Sequence, residues 1–223
     1  MCFSANASFA TAGALTVIGL LSIRTARHNK KLIPLAASPL FFAVQQTCEG
    51  LVWITLNNGD TTSLLHSVST YGFLFFASAW WPFWIPLTFA LAEKIPHRKK
   101  ILLFKTIIGS ITATILFISW AMYTSGAEII DHHITYPVSN YPFGITNAYV
   151  AQAVAWPIAI FYCLSTITPF FISSIPYAWI LGIIIGIGLV ASYLFYIIAL
   201  PSVWCFFAAA SSVLLYFIIR KNK

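Results

Sequence analysis

Of the five acidic residues in this 223-residue chain, Glu49 alone lies within a long apolar stretch, and its position demands a chemical explanation. An ionisable group at membrane depth is costly and faces a bundle interior or a water-filled cavity. Gln45 and Gln46 precede it by four and three residues and Trp53 follows by four, so a helix sets them on one face. Two amides, a carboxyl and an indole N–H in one stripe suit a proton carrier, a general base or a metal ligand. The same stripe equally suits a buried carboxyl that cross-links helices through amide hydrogen bonds.

Histidines supply the second set of candidates. His66 stands at the start of an apolar run, and Asp131-His132-His133 lies in the longest polar connection. Imidazole is the commonest metal ligand, and a carboxylate beside it can hold one tautomer as an outer partner. Glu49, His66 and one of His132 or His133 would together make a zinc or iron ligand set. The pair His132-His133 has no ligand spacing of its own, because adjacent residues point apart, and a solvated loop explains it as well. Cys2 and Cys205 both fall near the expected outer boundary, where a disulfide between them or two small packing residues are the open readings. Tyr149, Gln152 and Trp156 form a third stripe, either lining a pocket or joining helices.

The elements that carry these groups follow from composition. Hydrophobic residues make up 60% of the chain and charged ones 8%, with a mean hydropathy of +0.87. Soluble domains carry about a quarter charged residues, so this is a membrane chain. Apolar runs of helical length and no strand-like alternation make it all-α, one unit over residues 1–223. Seven transmembrane helices are expected, near 6–23, 33–56, 63–91, 101–123, 147–166, 176–198 and 202–219. Pro82 and Pro86 break the third near its inner end.

All twelve Lys and Arg fall in three clusters, 24–31, 94–105 and 220–223. They occupy alternate gaps between helices, so the positive-inside rule puts the N-terminus outside and the C-terminus in the cytoplasm. The net charge of +7 is thereby explained by topology and anionic lipid, and no nucleic-acid partner is implied. No basic leader precedes the first run, which is long enough to span. The sixth and seventh spans hold no Schiff-base lysine, and neither a phosphate-binding glycine motif nor a serine-nucleophile motif occurs.

Met1-Cys2-Phe3-Ser4, Gln46-x-x-Glu49-x-x-x-Trp53, His132-His133 and Val203-Trp204-Cys205-Phe206-Phe207 carry a likeness over nearly the whole chain. The chain resembles an uncharacterised family of small bacterial membrane proteins that begin Met-Cys-Phe-Ser. The resemblance implies a bacterial inner-membrane protein with several spans and implies no activity.

The expected site is an outward-opening polar pocket with Glu49 at its floor. Gln45 and Gln46 would orient the carboxyl, and His66 with His132 or His133 would close the pocket from above. It would bind a metal or a small polar or lipid-derived ligand, and metal-assisted hydrolysis is the reaction class if it is an enzyme. A proton-coupled transporter using Glu49 and a structural subunit of a larger complex are the alternatives. Residues 124–146 form either a lid over this pocket or an open loop.

Overall fold

The computed structural model describes residues 4–124, 126–137, 148–196 and 199–222, and the backbone alone for 148–154. Helix α1 (Ala5–Ala26) starts at Ser4, whose hydroxyl accepts the Ala7 N–H at 3.3 Å. That bond satisfies one of the donors a helix start leaves open. A 3-10 turn at Lys30–Leu32 and the short α2 (Ile33–Ala36) lead into α3 (Ser38–Asn57). Pro34 and Pro39 sit in first turns, where a missing N–H costs nothing. The second expected span is therefore two helices with a break at Ala37.

The third expected span, Leu64–Ala92, is three pieces: α4 (Leu64–Leu74), a π-helical turn (Phe75–Trp80) and α5 (Trp81–Ala92). Ser63 caps α4 by accepting the His66 N–H, and Asp60 in turn accepts the Ser63 N–H. In a π-turn each carbonyl looks five residues ahead. For Ala77 that residue is Pro82, which has no N–H, and the Tyr162 hydroxyl donates to the Ala77 carbonyl instead, at 2.5 Å. Pro86 likewise leaves the Pro82 carbonyl without its helical donor. Helix α6 (Pro96–Tyr123) passes close beside it at Gly109, where an added Cβ would stand 1.8 Å from the Pro82 oxygen. Only glycine permits that approach.

A two-stranded antiparallel hairpin follows, β1 (Glu128–Ile130) and β2 (His133–Thr135), with Ile130 opposite His133. Then come α7 (Ala148–Ile167), the short α8 (Pro169–Ile172) and α9 (Ala178–Phe195). Helices α10 (Leu200–Ala210) and α11 (Ser212–Lys221) finish the chain, divided at Ser211.

Among the described residues, six helices are long and apolar enough to cross a membrane, as suits an integral membrane protein in a lipid bilayer. Helix α3 falls outside those six although it has 20 residues, and its surroundings explain why. Eleven of its residues are buried, against five of the 28 in α6. A helix walled in by other helices carries amides and a carboxyl that a lipid-facing one would expose to hydrocarbon.

The first and third basic clusters meet at one end of the bundle, and Glu93, just before the second, bonds to the same 174–176 turn that Asn222 reaches. Asn29 donates to the Asn222 carbonyl at 3.4 Å, and the Lys221 ammonium lies 4.0 Å from the Tyr177 ring centroid. At the opposite, distal end, Val52, Trp53, Phe73 and Leu74 form a second apolar cluster with Ile134 and Tyr136 from the hairpin segment.

Candidate functional site

Glu49 is fully buried on α3. The Gln46 amide donates to its Oε2 at 3.0 Å, and the Ser202 hydroxyl of α10 makes a close hydrogen bond to its Oε1. Ser8 of α1, also fully buried, sets a second hydroxyl near the carboxylate without a hydrogen bond of its own. Both hydrogen-bond partners are neutral, and three helices converge near one carboxyl.

One turn toward the basic end, Gln45 accepts the Trp81 indole N–H at 2.8 Å, and the Cys205 thiol sits beside the same amide. Among the described residues there is no partner for Gln45 Nε2, Gln46 Oε1, Trp53 Nε1 or Thr70 Oγ1, all of them buried. A buried polar atom without a partner costs about 1–3 kcal/mol. Three of these atoms, two N–H donors and an amide oxygen, belong to α3 residues within four positions of Glu49, and Thr70 adds a hydroxyl from the adjoining α4.

The expected stripe of Gln45, Gln46, Glu49 and Trp53 is thus gathered on α3, while the histidines are elsewhere. His66 is buried, but its Nδ1 pairs with Thr55 Oγ1 at 2.9 Å. Thr55 lies six residues beyond Glu49 on α3, a rise of about 9 Å. Asp131 and His132 are the two central residues of the hairpin turn, with φ of 48° and 62°. Positive φ at both positions is the type I′ pattern that matches strand twist, so this pair is there to turn the chain. His132 is exposed, and His133 sets its ring edge-on to Tyr196 at 5.3 Å. Among the described residues no three His, Cys, Asp or Glu side chains are grouped to hold a metal ion.

Trp156 is half exposed on α7, with its ring 6.5 Å from that of Tyr193. Cys2, and the side chains of Tyr149 and Gln152, lie outside the described residues. Sequence reasoning missed Ser8, Trp81 and Ser202. Ser202 had a signal, since it stands three residues before Cys205 and so shares its helical face. Ser8 and Trp81 had none, because only packing brings α1 and α5 to α3.

The hairpin folds over the distal cluster. Ile134 is fully buried, and the Tyr136 ring stacks on Phe73 at 5.0 Å.

Toward the basic end lies a cavity of about 60 Å³. Phe42, Trp81, Tyr162, Trp204, Cys205 and Ala208 contribute to its wall. By the cost of residual core volume, such a hole destabilises by about 1.5 kcal/mol.

A second buried carboxylate closes the basic end. Glu93 follows α5 and accepts the Lys94 and Ile95 N–H groups, each at 2.9 Å, and the Ser174 N–H at 2.7 Å and hydroxyl at 2.5 Å. Burial by itself raises its pKa. The Ser174 hydroxyl and the three N–H groups outweigh that and hold the carboxyl below its ordinary 4.5.

No curated protein and no solved structure matches this chain. The match that exists covers residues 1–223, and by it the chain belongs to a family of unknown function (DUF6629).

Proposed function

We propose that this protein binds a small polar or lipid-derived ligand at Glu49, in the outer half of a seven-span bundle. The observation that carries the reading is the set of buried polar atoms on α3, unpartnered among the described residues, beside a carboxyl whose described hydrogen-bond partners are an amide and a hydroxyl. Glu49 and Gln46 accept or donate to the ligand's polar end, Gln45 and Trp53 donate N–H bonds, and the apolar surroundings strengthen each contact. Counting α3 as the seventh span places the basic end in the cytoplasm and the hairpin outside, in keeping with the distribution of lysine and arginine. A bacterial inner membrane suits this arrangement.

Extraction of ligand from protein purified in nanodiscs tests the proposal, with wild type beside Glu49→Gln and Ser202→Ala. The expected result is a small molecule in stoichiometric amount from wild type, lost from Glu49→Gln and reduced in Ser202→Ala. Identical extracts from all three, with each variant folded, overturn it.

A second reading has one observation in its favour. Glu49 accepts a hydroxyl bond from Ser202 of α10 and has the buried Ser8 hydroxyl of α1 nearby, the kind of polar chain a proton-relaying carboxyl uses. Proton uptake by proteoliposomes that vanishes in Glu49→Gln would establish carrier activity.

A further inference from the structure

We propose that the ligand held at Glu49 is an amphiphile, and that the cavity on the basic side of Trp81 takes the end of its apolar tail. This rests on the Glu49 reading and adds the chemical class of the occupant. Three observations carry it.

The first is that the cavity wall is apolar in effect even where it holds polar residues. The Trp81 N–H is committed to Gln45, the Trp204 N–H to the Ile185 carbonyl and the Tyr162 hydroxyl to the Ala77 carbonyl. Every polar handle of these three aromatic residues is therefore spent on a protein partner. Ser38, Thr166 and Ser211 also line it, with hydroxyls bonded to the Trp84 N–H and to the Tyr162 and Ala208 carbonyls, and Ser212 adds one more. A water needs two to four polar partners to stay, and a wall whose polar groups are mostly engaged by the protein offers few.

Position is the second observation. Trp81 and Cys205 belong to both compartments: they line the cavity, and both contact the Gln45 amide. A single layer of side chains separates the apolar space from the polar atoms near Glu49. One elongated molecule with a polar end and an apolar end matches that order.

The third is size. The cavity's volume of about 60 Å³ equals roughly two waters' share of liquid. It suits the end of a chain, a few carbons long.

The test uses primary alcohols from ethanol to octanol as probes, with thermal midpoints read against alcohol concentration in nanodiscs. For wild type, the apparent affinity should rise about fourfold for each added methylene, then level off once the cavity is full. Ala208→Leu, which fills the cavity from its wall, should remove the dependence on chain length. Phe42→Ala, which enlarges it, should move the plateau to longer chains and keeps the test valid if the filled variant does not fold. Glu49→Gln should weaken all the alcohols by one common factor and leave the increment per carbon intact.

An increment that persists unchanged in both Ala208→Leu and Phe42→Ala reflects the bilayer, and overturns the cavity assignment while leaving the Glu49 reading in place. An increment that responds to the cavity variants but not to Glu49→Gln overturns the polar half instead. Absence of binding by every alcohol overturns the proposal.

Discussion

Two glutamates are buried in this bundle, and they have opposite company. Glu93 sits at the basic end with both oxygens engaged by three N–H groups and a hydroxyl, tying the end of α5 to the turn before α9. Glu49 sits deeper with an amide partner on α3 and a hydroxyl partner on α10, and neighbouring α3 side chains keep polar atoms without partners among the described residues. Burial alone does not separate the two, since Glu49 is 0% exposed and Glu93 3%. Completeness of hydrogen bonding does. A carboxylate satisfied wholly by the protein is a clamp, and one whose neighbourhood is left incomplete is available to something else.

The sharpest way to break this contrast is to remove each carboxylate. Glu93→Ala leaves the Lys94, Ile95 and Ser174 donors without their acceptor and should cost about 3 kcal/mol, seen as a lowered thermal midpoint in detergent. Glu49→Gln keeps the shape of its site and should change stability by less than about 1 kcal/mol. Equal losses in the two variants would erase the distinction.

Acid titration sharpens the Glu93 side. Its folded pKa lies below the ordinary 4.5, so its contribution is complete above that value. The contribution falls away as pH drops from there through the folded pKa. Wild type should therefore lose midpoint in this acid window relative to Glu93→Gln, and parallel curves would deny the clamp its charge.

Trp53→Phe probes the other side on a smaller scale. It deletes an N–H that no protein group accepts and should stabilise the ligand-free protein by up to about 1 kcal/mol. Ligand retention should weaken in the same variant, which is the usual exchange between stability and function. Destabilisation of the ligand-free protein would mean that the indole is structural.

The smallest effect belongs to the hairpin. Asp131→Asn with His132→Gly supplies the residue pair that type I′ turns prefer and should add about 0.5 kcal/mol. Ligand retention should stay unchanged. Its loss would return His132 to the site.

The bundle and its basic end were legible in the sequence because both are one-dimensional facts. Apolar length makes a span, and the lysines and arginines cluster in alternate gaps between spans. The stripe from Gln45 to Trp53 was legible for a similar reason, since helical periodicity alone sets it on one face. The π-turn was half visible: Pro82 and Pro86 announced a break, but not that Tyr162 would fill the bond that Pro82 leaves open.

Contacts between distant segments were not legible. The sequence by itself determined a mostly helical membrane chain, the clustering of its positive charge and the isolation of Glu49 among apolar residues, and it did not show the hairpin at 128–135. Only the tertiary structure decided that Ser202 bonds Glu49, that His66 turns to Thr55 and that Asp131-His132 forms the hairpin turn. It also decided that Glu93 is a clamp. Those outcomes depend on which helix faces lie against each other, and packing sets that choice after the local pattern has made each helix.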